Sequence, residues 1–197
     1  MPPPTPCRAR KAMRLPADQA TPHSADAIAE AAAVSKRTIY DYYGGKERLF
    51  LSAVRETVAA QNAAFDELLE QTLAQVTDIQ AALTAFGRAF AAEVARSAVL
   101  RLVIAEASHF PELVRSPPEQ RPVQRALADR LAELGERGLL RVPDPLEAAE
   151  FLGLLVTGPV NHRSWYGAVP LDDAEIDRLV AGGVRIFLRA YGVSTGE

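Results

Sequence analysis

Six side chains between positions 36 and 46 combine the two chemistries that nucleic acid demands. Lys36, Arg37 and Thr38 are consecutive, Tyr40 and Tyr43 follow, and Lys46 closes the set. Lysine and arginine neutralise phosphates. The guanidinium fork also matches the O6/N7 edge of guanine, and a threonine methyl packs on a thymine methyl. Tyrosine hydroxyls donate hydrogen bonds to phosphate oxygens. Lys46 reads as the opening residue of a helix, where free amides and the helix dipole already favour an anion. For one duplex to meet all six, Lys36, Arg37 and Thr38 must occupy the first turn of a short element that enters the major groove.

The neighbouring residues supply that element. Ala25, Ile28, Ala29 and Ala32 recur at helical spacing behind Ser24, a good N-cap. Ser35 caps a second helix that runs to about Tyr42, and Gly44-Gly45 ends it. The two short helices meet at Ala33-Val34, the layout of a helix-turn-helix. Ala29 and Ala32 are small enough for the second helix to cross closely, Val34 is an apolar plug beneath the turn, and Ile39 anchors the second helix. A third helix starts near Lys46 and runs long, with Leu49, Phe50, Ala53, Val54, Thr57 and Val58 on one face.

This string is similar to the signature of TetR-family transcription regulators. The matching residues are Asp26, Ala27, Ile28, Ala29, Ala32, Val34, Ser35, Lys36, Thr38, Ile39, Tyr40, Tyr42, Lys46, Glu47, Leu49 and Phe50. The resemblance implies a homodimer that binds operator DNA through Lys36, Arg37, Thr38, Tyr40, Tyr43 and Lys46. It also implies a helical sensor half for a small ligand and a four-helix bundle formed by the last two helices of each copy. Segments 102–113 and 144–154 further resemble the sensor domain of the AefR-like branch. Three positions depart from the family pattern. Ala33 stands in place of Gly, Tyr43 in place of Phe, and the stretch Ala12–His23 lacks the usual first-helix core.

Charge agrees with a two-part chain. The 197 residues carry a net charge of −3, but residues 1–55 balance to +4 and the remainder to −7. A basic head on an acidic body suits a phosphate-facing domain joined to one that does not touch DNA. Ala and Leu dominate the composition and no strand pattern competes, so an all-α chain is expected. The expected divisions are an irregular basic arm at 1–22, a helix-turn-helix domain at 23–55, and a helical ligand-sensing and dimerisation domain at 56–197. Pro16 and Pro22 bracket a polar stretch with no apolar stripe, so the first helix should be short or absent. Arg8, Arg10, Lys11 and Arg14 would then form a basic arm. That weak support motivates one alternative, a dimeric ligand-binding protein that no longer binds DNA.

In the second part, helices are expected over Ile79–Ala95, Val99–Phe110, Val123–Arg137, about 146–166 and about 172–190. Gly138 should stop the third of these, and Gly158-Pro159 should interrupt the fourth, freeing the Leu155 carbonyl. The candidate ligand residues are Phe86, Phe90, His109, Phe110, His162, Trp165 and Tyr166, with Ile104 and Asn161 beside them. They describe an apolar or amphipathic cavity with a few polar groups. Phe151, Leu152, Leu155, Leu179, Val180, Gly183, Ile186 and Phe187 are the candidate dimer contacts.

Other classes find little footing. His23, His109 and His162 lack metal-ligand spacing, and Gly182-Gly183 sits in a helical pattern with no strand before it. No catalytic constellation, cofactor or metal is therefore expected. Cys7 is the single cysteine, and no stretch of about 18 apolar residues is present. The N-terminus lacks the order of a secretory signal, and the reducing cytoplasm is the expected compartment.

Overall fold

The computed structural model describes residues 46–97, His109, Pro111 and 122–193. Five helices run through them: α1 (Lys46–Leu73), α2 (Ile79–Arg96), α3 (Pro122–Glu136), α4 (Pro145–Arg163) and α5 (Asp173–Tyr191). The chain divides into two compact units at Ala60/Gln61, inside α1. Of the first unit only the start of α1 is described, and Val54 is buried there. The expected helix-turn-helix, the basic arm and the helix at Val99–Phe110 lie outside the described residues, apart from His109 in the last.

The helix starts follow from local chemistry. Aspartates cap three of them: Asp78 accepts from the Ala81 amide at 3.0 Å, and Asp172 from Glu175 at 2.7 Å. Asp144 accepts from two amides, Leu146 at 3.0 Å and Glu147 at 3.1 Å, with Pro145 setting the first turn. Replacing Asp144 with alanine is expected to cost about 1 kcal/mol, which lowers the melting temperature by roughly 2–4 °C in a chain of this size. A thermal melt followed by helicity measures it.

The end of α3 is equally local. Gly138 adopts φ +72°, its amide reaches the Gly135 carbonyl at 2.9 Å, and the Leu139 amide reaches Leu134 at 3.0 Å. This is a Schellman turn, and glycine takes its left-handed position without steric penalty. Arg137 then reaches across the chain, donating to the carbonyls of Ala74 at 3.2 Å and Val76 at 2.9 Å just beyond α1. Arg130 bridges α3 to α1 through Glu70 at 2.7 Å.

The core of the second unit is one apolar cluster. Phe65, Leu69 and Leu73 come from α1, Leu83 and Phe86 from α2, and Leu127, Leu131 and Leu134 from α3. Leu152, Val156 and Val160 enter from α4, and Val180, Val184 and Phe187 from α5. The pairing of α4 with α5 is the most extensive, with α2 lying on both and α3 on α4. Gly87 permits the close approach of α2, because a Cβ there would meet Val180 at 2.7 Å and Val156 at 3.1 Å.

Pro159 lies inside α4 but does not interrupt it, contrary to the sequence expectation. The lost hydrogen bond is absorbed at a helix crossing. The Leu155 carbonyl, deprived of its partner amide, stands against Gly183 of α5, where a Cβ would collide with it. The helix also stops at Arg163, short of the expected 166. Trp165 and Tyr166 leave the helical region altogether, with φ of 48° and 56°.

Candidate functional site

Of the six residues expected to meet DNA, Lys46 is the first residue of α1, where helix amides are free. Lys36, Arg37, Thr38, Tyr40 and Tyr43 lie outside the described residues, as does the Lys46 side chain.

The expected ligand residues separate into two groups. Phe86 is fully buried and stacks on Phe90, with ring centroids 5.6 Å apart. Phe65 of α1 completes the set edge-on, 5.9 Å from Phe86 and 5.1 Å from Phe90. Such edge-to-face contacts add to plain area burial. Phe65 went unrecognised in the sequence, although Phe65, Leu69 and Leu73 repeat at four-residue helical spacing.

The second group stands at the far end of α4 on the surface. His162 is exposed, Trp165 is 74% exposed and Tyr166 52% exposed. Their turn is held from below by Ser164, which is buried: its Oγ accepts from the Gly167 amide at 3.0 Å, and its carbonyl accepts from Val169 at 2.8 Å. The Tyr166 amide donates to the Asn161 carbonyl at 2.8 Å. Left-handed backbone at a non-glycine residue costs roughly 1–2 kcal/mol, so these bonds maintain a strained turn that presents two aromatic rings outward. His109 is exposed, and Phe110 and Ile104 lie outside the described residues.

The expected dimer contacts need correction. Leu152, Val180, Gly183 and Phe187 are buried inside their own chain, as parts of the α4–α5 core. A charge placed on Gly183 or Phe187 would therefore break the subunit rather than report on its pairing. The outward side of the same helices nevertheless exposes Phe151, Leu154 and Ile186, set among charged residues such as Glu147, Glu150 and Arg185. Leu154, missed in the sequence, lies three residues after Phe151, so both project from one side of α4. Where a stretch of helix is apolar all round, its pattern hides which side faces inward.

An open groove of about 380 Å³ runs between α2 and α5, lined by Ala85, Arg88, Ala89, Ala92, Asp173, Ile176 and Asp177. The Arg88–Asp177 ion pair spans it, and none of the expected ligand residues reaches it. Burial, then the charges of Glu147 and Asp144, pushes the Tyr191 phenol above its ordinary range, so it stays neutral. No group of His, Cys, Asp and Glu able to hold a metal occurs among the described residues. No helix among them is long and apolar enough to cross a membrane.

Comparison with known proteins adds a frame to this geometry. Residues 81–193 match the family described as AefR-like transcriptional repressor, C-terminal domain. Residues 11–53 match bacterial regulatory proteins of the tetR family. Among solved structures, a TetR-family transcriptional regulator of Mesorhizobium loti is 29% identical, with a TM-score of 0.76 over 86% of this chain and 87% of that one. The flavonoid-responsive regulator FrrA is 33% identical, with a TM-score of 0.63 over 95% and 96% of the two chains. A TetR family transcriptional regulator of Pseudomonas syringae pv. tomato, 22% identical, shares the fold with a TM-score of 0.64 over 94% and 92%. Comparison with curated protein sequences gives no match.

Proposed function

Because the chain belongs to the TetR family of bacterial transcription regulators, we propose that it is a repressor that grips operator DNA as a homodimer and lets go when a small molecule binds its helical half. The observation that carries the proposal is the joining of two matched segments, a DNA-binding one at 11–53 and a sensor-like one at 81–193, by the continuous helix α1. In this reading residues 1–22 are a basic arm, 23–55 the DNA-binding domain and 56–197 the sensor and dimerisation domain. Lys36, Arg37, Thr38, Tyr40, Tyr43 and Lys46 hold the operator. Regulators of this family bind operators and act as dimers, and the exposed Phe151, Leu154 and Ile186 on α4 and α5 are apolar area that a second copy would cover.

The effector class is suggested by FrrA, which responds to flavonoids. Phe65, Phe86 and Phe90 pack on one another in the core, so in this reading an aromatic effector enters there by parting these rings. His109, Phe110, His162, Trp165 and Tyr166 are proposed as further ligand contacts. Helix α1 begins at Lys46 and contributes Phe65 to the cluster, so in this reading repacking the rings acts on the helix whose first residue is proposed to meet phosphate. A ligand releases DNA only if it prefers the released conformation, because equal affinity for both states shifts nothing.

The test is a gel shift on DNA flanking the gene, with and without a flavonoid such as quercetin, read beside the fluorescence of Trp165, the single tryptophan. The expected result is a retarded band that quercetin removes and an emission change over the same concentration range. No retarded band at low salt would favour a dimeric ligand-binding protein without DNA binding. A band indifferent to quercetin would exclude flavonoids as the effector class.

A further inference from the structure

Helices α4 and α5 carry opposite charge on their solvent sides. Glu147, Phe151 and Leu154 lie at spacings of four and three along α4, Glu150 stands one turn before Leu154, and all four are exposed. On α5, Arg178, Arg185 and Arg189 are exposed, and with Gly182 between the first two they step by four, three and four. Ile186 follows Arg185 and is exposed as well. Core-facing Leu152, Val156, Val180 and Phe187 occupy the other sides of the two helices. Arg178 is engaged by Glu175, one turn before it at 3.8 Å. Glu147, Glu150, Arg185 and Arg189 form no ion pair among the described residues, whereas Arg88, Arg130 and Arg163 each do.

Two contacts fix which helix ends lie together. Arg163, at the end of α4, pairs with Glu175 near the start of α5 at 2.7 Å. At the opposite end the Arg141 amide, just before α4, donates to the Tyr191 carbonyl that closes α5, also at 2.7 Å. The helices are therefore antiparallel, and the acidic start of α4 shares one end of the unit with the basic end of α5. Within one chain these charges face solvent on separate helices and do not meet. A two-fold axis running along the helices would set α4 of one copy beside α5 of the other, antiparallel again, and bring acid opposite base twice.

We infer that Glu147 and Glu150 of one copy face Arg185 and Arg189 of a second copy, around an apolar centre of Phe151, Leu154 and Ile186. This rests on the homodimer proposed above and goes beyond it by naming the charge match that selects the partner and its direction. An apolar centre with a charged rim is the usual anatomy of an interface. One exposed ion pair adds little to stability. The rim acts instead on register and partner choice, because an arrangement that sets the glutamates of one copy against those of the other is penalised.

The experiment uses two double variants of the full chain, Glu147→Lys/Glu150→Lys and Arg185→Glu/Arg189→Glu, in sedimentation over a concentration series at pH 7.5 and low salt. Each alone is expected to self-associate about tenfold or more weakly than wild type, since like charges then meet on the rim. An equimolar mixture of the two is expected to recover to within about threefold of wild type, as a heterodimer with both rims reversed. Far-ultraviolet helicity should match wild type in both. If a double variant loses helicity, because position 147 lies in the first turn of α4 and position 189 in the last turn of α5, the single variants Glu150→Lys and Arg185→Glu carry the test. Each of these is expected to weaken the dimer by about threefold or more, again with recovery on mixing. Folded variants that dimerise like wild type, or a mixture no tighter than either component, would overturn the charge match and leave the dimer standing. A wild-type chain that stays monomeric throughout would remove the dimer itself.

Discussion

A Gly183→Val variant is expected to melt well below the wild type. The cause is a chain of three residues. Pro159 has no amide hydrogen, so the carbonyl of Leu155 loses the bond it would make in an unbroken helix. That carbonyl turns toward α5 at Gly183, the one position whose missing side chain leaves room for it. A Cβ there would lie far inside contact with the Leu155 carbonyl and 3.3 Å from the Val156 nitrogen. The obstacle is backbone, which cannot rotate aside as a side chain does, so α4 and α5 must separate. They form the most extensive helix pair of the unit, with Val156, Val180 and Phe187 buried at its centre. Overpacking a core costs typically 1–3 kcal/mol. Valine, with a branched Cβ against rigid backbone, is expected at or above the top of that range. The melting temperature should then fall by roughly 6–12 °C, since about 1 kcal/mol corresponds to 2–4 °C in a chain of this size. Gly183→Ala should fall by less. A valine variant that melts within 2 °C of wild type would mean the helices do not approach as closely as described.

Operator affinity should fall by about a hundredfold or more in an Arg37→Ala/Lys46→Ala double variant. Each side chain is worth roughly 1–3 kcal/mol if it meets base or phosphate, and a dimer loses both twice. The two single variants separate the roles. Lys46 opens α1, where helix amides already favour an anion, so Lys46→Ala should weaken all sequences alike and flatten the salt dependence by about one unit per subunit. Arg37→Ala should instead relax the preference for one base pair in each half-site. Titrations at three salt concentrations, on the operator and on scrambled DNA, measure both. Unchanged affinity in the double variant would place the DNA contacts elsewhere.

What the sequence determined by itself was local. Aspartates at 78, 144 and 172 announce helix starts, because a carboxylate satisfies amides two and three residues on without help from elsewhere. Gly138 announces the end of α3 for the same reason, since only its own backbone must turn left-handed. The all-helical class followed from an Ala- and Leu-rich composition with no competing strand pattern, and the TetR resemblance from the string at 26–50, which departs from the family pattern at Ala33 and Tyr43. Tertiary structure decided which side of each helix turned inward. Between Phe151 and Val156 helix α4 has no polar residue, so its local pattern cannot distinguish Leu152, buried in the subunit, from Leu154, exposed beside it. On α5 the apolar stripe through Val180, Gly183 and Phe187 is plain in the sequence, but only packing decided that it covers the subunit's own core and not a second copy. Pro159 shows the limit most clearly. Its chemistry predicts a freed carbonyl, and that much holds, but an interrupted helix does not follow. Whether a proline breaks a helix depends on what stands opposite the orphaned oxygen, and Gly183, 28 positions away from Leu155 along the chain, stands there only once α5 has packed.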